Sequence, residues 1–280
     1  LLEEKQLSKA QELLPIIQNN LANFPPSRTS VYARINLAQT LLKFGNESSI
    51  NAPDIAQILV KAVQEAKRLQ DLRAESFALG NLGTLYEKNQ QVIQAQDLTQ
   101  QGLLLAQQIK AVDISYRWQW QLGRLLKTQK NLPGAIAAYQ EAFSTLQSLR
   151  SDLVAVNPEV QFSFRDSVEP VYRQYVDVLL QVPGEKNLVQ ARNTIEALQL
   201  AELDNFFRDA CLNVQRVDID RVDDPNAAVV YPIILEDRIE LILSLPGKPL
   251  RHYTTPKSQT EINPILVDLP TLLQSPGKPD

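Results

Sequence analysis

Apolar residues along most of this chain recur at offsets of three and four, the spacing that gathers them on one face of a helix. Leu7, Ala10, Leu14 and Ile17 form such a stripe within residues 2–24, and Pro25-Pro26 ends it because proline cannot continue a helix. Residues 27–30 offer an N-cap for a helix over 31–44, patterned by Leu37, Ala38 and Leu41. A polar loop over 45–53 leads to a helix over 54–69 with Ala56, Val60 and Val63. The same reading predicts helices over 73–87, 93–109, 114–128 and 133–149, with Pro133 suited to a first helical turn. After a break near 153–158, a last pair spans 164–182 and 188–212. Tyr172, Tyr175, Val176 and Leu179 stripe the first of these, Ala191, Ile195 and Leu198 the second.

The stretch 79–142 repeats itself. Leu82-Gly83, Tyr86, Ala95, Thr99 and Gly102 are matched by Leu122-Gly123, Leu126, Ala135, Tyr139 and Ala142, each 40 residues later (122 − 82, 142 − 102). Glycine costs a helix interior about 1 kcal/mol relative to alanine. Gly83 and Gly123 at equivalent places therefore predict a close approach by another backbone, and Ala95 and Ala135 admit the partner helix in the same way. Large residue, glycine, aromatic, then alanine in a second helix resembles the tetratricopeptide repeat, here longer than its usual roughly 34 residues. The fold class expected is mainly α: a right-handed superhelical solenoid of such helix pairs over 1–212, opening on the second helix of a truncated pair.

The texture changes after Asn213. Residues 214–224 are a charged connector, and 228–235, 238–245 and 250–254 read as β-strands, the first two joined tightly at Glu236-Asp237. Pro232 counts against a central strand, since proline lacks a ladder donor. From Pro256 onward further prolines predict a poorly ordered end with one short helical turn near 266–273. A lone hairpin is marginal in water, so the strands are expected to rest on the last helix pair or on another chain.

Ala191-Arg192 and Ile195 through Phe207 resemble the junction between tetratricopeptide repeats and a CHAT domain in bacterial, largely cyanobacterial, proteins. Asp224-Pro225, Tyr231 through Leu235, Ile242 through Gly247 and Pro249 through Tyr253 continue that resemblance. It implies that residues 213–280 hold a linker and the first strands of a caspase- and separase-like α/β fold. The family's histidine–cysteine dyad lies downstream of those strands, and residues 257–280 do not match the later core, so no catalytic position is carried over.

Composition narrows the chemistry. A net charge of −4 argues against a nucleic-acid surface, and no apolar run approaches the roughly 18 residues of a membrane span. No signal-peptide pattern opens the chain, which gives cytoplasmic residence as the expectation. The absence of any methionine gives the expectation of a piece or processed form of something longer, so a secreted parent stays open. One cysteine, Cys211, and one histidine, His252, are too few for a zinc site. Cys211 beside Leu212 reads as a small hydrophobe rather than a nucleophile paired with His252. Asp218, Asp220, Asp223 and Asp224 lack the glycine and closing glutamate of a calcium loop. No cofactor, metal or catalysis is expected of this chain.

Binding remains. First helices of stacked pairs line a concave surface, which places Gln39, Lys43, Thr84, Glu87 and Lys88 along a groove. Arg117, Trp120, Arg124 and Lys127 follow in the next repeat. The last four are basic with one aromatic on an acidic chain, a combination suited to an extended acidic peptide, which arginine grips bidentately. The open solenoid end and the unfinished sheet edge are candidate surfaces for self-association.

Overall fold

A computed structural model of the chain describes residues 7–44, 51–156, 168–207 and 227–274. Cys211 and the acidic connector lie outside the described residues, as does the expected boundary near 212. The chain forms two compact units, residues 1–151 and 152–280.

The first unit is built from α1 (Leu7–Asn23), α2 (Arg28–Phe44), α3 (Ala52–Arg68), α4 (Leu72–Lys88), α5 (Val92–Gln108), α6 (Val112–Thr128) and α7 (Leu132–Val156), the last running to the unit's boundary. Each helix from α2 to α5 packs on the next, and α2, α4 and α6 also touch in succession, the paired-helix stacking that the repeat predicts. A finer period underlies the 40-residue one. Between α3 and α7 the connections are the same three-residue turn, 20 residues apart (90 − 70, 110 − 90, 130 − 110), with Gln70, Gln90, Lys110 and Lys130 at φ of 52°, 60°, 54° and 61°. The following amide reaches back five residues in each: Asp71 to Ala66 at 3.0 Å, Gln91 to Tyr86 at 2.9 Å, Ala111 to Ala106 at 2.8 Å and Asn131 to Leu126 at 2.9 Å. This is the left-handed helix stop usually made by glycine. Asp71 and Asn131 then cap the next helix, accepting from Ala74 and Gly134.

Small residues set the packing distance. A Cβ at Gly83 would lie 2.7 Å from Thr99 Oγ1 and 3.1 Å from the Ala95 carbonyl, both of α5, so the expected backbone approach is there but a side chain comes nearer. At Gly123 the neighbour is instead the Tyr139 ring of α7, 2.9 Å away, because Tyr139 occupies the position held by Thr99 one repeat earlier. The tightest site was not anticipated: a Cβ at Gly80 would sit 2.3 Å from the Trp118 ring.

Two predicted stripes are corrected. In α3, Ile55, Leu59, Ala62 and Ala66 are buried while Val60 is exposed; both sets have helical spacing, and Ala62 and Ala66 allow the closer approach to α2 and α4. In α1, Leu14 and Leu21 enter the core and Ile17 faces solvent. Buried between α2 and α3, Arg34 Nη1 donates to Glu65 Oε2 at 2.7 Å, and its Nη2 takes the Leu21 carbonyl of α1 at 2.8 Å.

The second unit holds α8 (Glu169–Leu180) and α9 (Glu185–Phe207), then β1 (Val229–Ile234), β2 (Ile239–Ser244), β3 (Arg251–Thr255) and α10 (Gln259–Gln274). Tyr172, Tyr175, Val176 and Leu179 of α8 and Ala191, Ile195 and Leu198 of α9 are buried as predicted. The strands form an antiparallel meander in the order β1-β2-β3. One face is inward: Tyr231 and Ile233, Glu240 and Ile242 are buried. The Tyr231 hydroxyl donates to Glu196 of α9 at 2.7 Å, and Arg238 donates to Asp177 of α8 at 2.6 Å, so the sheet does rest on the helix pair. Buried Glu240 also accepts from Arg238 and Thr254 and meets His252 Nε2 at 2.8 Å.

Pro232 fits β1 for a reason of register. The Leu235 amide donates to the Arg238 carbonyl, so Ile233 and Glu240, then Tyr231 and Ile242, are the hydrogen-bonded pairs. Pro232 therefore falls where an amide would point away from β2, and it removes no ladder bond. The adjacent outward carbonyl, that of Ile234, is taken by Arg173 of α8 at 3.4 Å.

The C-terminal segment departs from expectation. Rather than one short turn it is a 16-residue helix, α10. Ser258 and Glu261 start it as a reciprocal capping box: the Ser258 amide donates to Glu261 Oε2 at 2.9 Å and the Glu261 amide to Ser258 Oγ at 3.4 Å. These cap bonds, with Lys257, pull the exposed Glu261 carboxyl down to about 2.

Candidate peptide-binding face

The predicted binding residues lie on the row of helices α2, α4 and α6. Phe77 of α4 and Trp118 of α6 meet edge to face with centroids 6.3 Å apart, and the Trp118 indole donates to Ser76 Oγ at 3.1 Å. Ser76 in turn donates to the Gly102 carbonyl of α5 at 2.7 Å. Trp118 is thus the ring that locks neighbouring repeats together, and Trp120, two residues on, is half-exposed.

Charges cross the row in matched pairs. Arg28 of α2 meets Asp71 at 2.6 Å, and Arg73 of α4 pairs with Asp113 of α6. At the other end of the same helices, Arg124 of α6 grips Glu87 of α4 with two bonds, Nε to Oε1 at 2.7 Å and Nη2 to Oε2 at 2.9 Å. The Arg124 guanidinium also lies over the Trp120 ring, 4.6 Å from its centroid. A planar cation held by one carboxylate and one aromatic face is fixed in orientation, and three of its five N–H donors remain beyond the two that Glu87 takes.

The other predicted residues are placed as follows. Thr84 lies 3.2 Å from the Gln121 side chain. Lys88 crosses to α2 and donates to the Leu42 carbonyl at 2.8 Å, neutralising a helix C-terminus. Arg117 lies 5.6 Å over the Tyr116 ring. Burial pushes the Tyr116 phenol up, opposed by the neighbouring Arg117 charge. Lys127 is half-buried one turn beyond Arg124, while Gln39 is half-buried and Lys43 exposed on α2. Arg117, Trp120, Arg124 and Lys127 therefore share one helix, with Arg124 and Trp120 in direct contact and Glu87 completing a three-residue cluster.

Sequence reasoning placed Glu87 in the groove without giving it Arg124 as a partner, and it overlooked the Arg73–Asp113 pair. The signal was present: Asp113 follows Arg73 by one repeat length (113 − 73). Among the described residues, no group of three or more His, Cys, Asp or Glu side chains is placed to hold a metal, and no helix is long and apolar enough to cross a membrane.

No protein-family model matches this chain, and no curated protein matches it. Solved structures with partial likeness include BtubC (BKLC) from P. vanneervenii, 14% identical, with a TM-score of 0.44 over 77% of this chain and 94% of that one. Another is a kinesin light chain-like protein from Podosopora anserina with nearly identical TPR-like repeats, 16% identical, with a TM-score of 0.44 over 74% of this chain and 92% of that one. The assignment of a helical-repeat fold rests on the stacked pairs and their common turn described above.

Proposed function

We propose that the helical-repeat unit is a protein-interaction module that binds an extended acidic segment of a partner protein across α4 and α6. The observation that carries this reading is the Arg124 guanidinium, stacked on half-exposed Trp120 and steadied by Glu87. Orientation of a guanidinium before binding reduces the rotamer entropy lost when a ligand carboxylate docks on it. Arg117 and Lys127 on the same helix, and Lys88 on its neighbour, extend the cationic contacts to either side. Glu87 offsets part of that charge, so the face discriminates by donor geometry more than by net potential.

The test is titration of fluorescently labelled acidic peptides by anisotropy. Arg124→Glu sets two carboxylates against one another and should weaken binding at least tenfold, about 1.4 kcal/mol. Arg124→Lys keeps the charge, loses the bidentate fork and should fall between. Affinity unchanged in both variants would remove this face from consideration.

Within this proposal, residues 213–280 are a linker and the opening strands of a CHAT domain, and the repeats before them recognise partners for a protease-like parent. The alternative makes the chain the regulatory half of a cysteine peptidase whose dyad lies downstream. In either reading His252 has a structural role, its Nε2 engaged by buried Glu240 on the inward face of the sheet. Peptide capture without turnover by these 280 residues supports both readings; cleavage abolished by Cys211→Ser would overturn both.

A further inference from the structure

We infer that the edge of β3, open among the described residues, pairs with β3 of a second copy of this chain, giving a six-stranded antiparallel sheet across a twofold axis at Tyr253. The register fixes which backbone groups are on offer. Because Glu240 and Ile242 bond to β1, the β2 residues that bond to β3 are Ile239, Leu241 and Leu243, opposite Thr255, Tyr253 and Arg251. His252 and Thr254 therefore turn their N–H and C=O groups away from β2, toward the open side of the last strand in the sheet.

The two edges are not alike. On β1, Pro232 has no donor at its outward position and Arg173 caps the outward Ile234 carbonyl, so that edge is closed to strand addition. On β3 there is no proline, and His252 and Thr254 are anchored inward on Glu240 with their backbones facing out. One open edge per copy ends the assembly at two copies rather than a fibre.

The strand is self-complementary in one register. With Tyr253 opposite Tyr253 of the second copy, His252 faces the second copy's Thr254, and all four outward bonds are made by β3 residues alone. Arg251, the strand's one charged residue, then faces Thr255, and no like charges oppose. Shifting by one step enlists Leu250, outside the strand, or Pro256, which cannot donate. The Tyr253 side chain is half-exposed on the outward face, in line with Leu241 and Pro232. Tyrosine against tyrosine continues that apolar row across the axis.

This inference stands independently of the peptide-binding reading and concerns these 280 residues, since a later strand of a CHAT-domain parent would compete for the same edge. The full chain should sediment between 31.5 kDa and twice that mass as concentration rises. In a Cys211→Ser background, Tyr253→Cys should cross-link to a dimer under mild oxidation, since facing non-hydrogen-bonded residues lie about 4.5 Å apart, within disulfide reach. Arg251→Cys should not link to itself but should link to Thr255→Cys when the two are mixed. Tyr253→Lys places like charges on the axis and should shift the chain to monomer with an unchanged circular dichroism spectrum. A constant mass of 31.5 kDa, a dimer indifferent to Tyr253→Lys, or self-linking by Arg251→Cys in preference to Tyr253→Cys would each overturn the pairing.

Discussion

Replacing Gly80 with alanine probes how the repeats are held at their spacing. The added Cβ would meet Cε2 and Cζ2 of Trp118 at 2.3 Å and Cδ2 at 2.5 Å, where carbon atoms normally rest about 3.5–4.0 Å apart. One helix or the ring must retreat by about 1.2 Å. The ring is 4% exposed and tethered by its indole to Ser76, so it has no room to swing outward without breaking that bond. Overpacking of this kind costs about 3 kcal/mol, at the upper end of the usual range. Loss of the indole hydrogen bond adds about 1 kcal/mol. Alanine returns about 1 kcal/mol through its higher helix propensity. The net is a loss of about 3 kcal/mol, or roughly 6–12 °C in Tm for a unit of this size. Thermal melts followed by far-UV circular dichroism will read it, and adding Trp118→Leu provides the control. With the ring gone the alanine fits, so the double variant should lose at least about 1 kcal/mol less than the sum of the single losses. A Gly80→Ala melt equal to or above the parent's would refute the claim that Trp118 sets the spacing of α4 and α6.

Glu65→Ala leaves Arg34 buried without its carboxylate and should cost about 3–5 kcal/mol in chemical denaturation, whereas truncating the exposed Glu141 should cost under about 0.5 kcal/mol. Glycine at Gln70, Gln90, Lys110 and Lys130 relieves four left-handed residues; the relief of about 1–2 kcal/mol each, less glycine's entropy cost, should net about 0.5 kcal/mol per site and raise Tm additively. Glu261 has its folded-state pKa depressed to about 2, so its cap contributes above the ordinary carboxylate pKa and is lost as pH falls toward 2. The protection factors of the first-turn amides of α10, corrected for intrinsic exchange, should therefore fall over that window, and Glu261→Gln should flatten the dependence.

The helix pairs were legible because burial of one face forces a three-and-four spacing that any such sequence must show. What that spacing leaves open is rotation: α3 carries two overlapping stripes, and only the size of Ala62 and Ala66 against α2 and α4 selects the inward one. The part played by Trp118 was hidden for a related reason. Trp118 and Trp120 are two residues apart, on different faces of α6, and the choice between them is made by Gly80 on another helix, 38 residues away (118 − 80). In α10, Pro264 and Pro270 drew attention from Ser258-Gln259-Thr260-Glu261, a capping signature readable from the sequence. The ion-pair ladder was hidden by distance along the chain, since Glu87 and Arg124 are neighbours only once α4 and α6 lie side by side.

A stop made four times with nearly the same φ, each time without glycine, has a genealogical consequence. Any block bounded by two such stops carries matching ends, so excising residues 72–111 would join Asp71 to Val112 through a junction of unchanged shape. Arrays of this kind can be shortened or lengthened by recombination in steps of one pair without inventing a new connection, and the reach of the binding face becomes a quantity that duplication alone can tune.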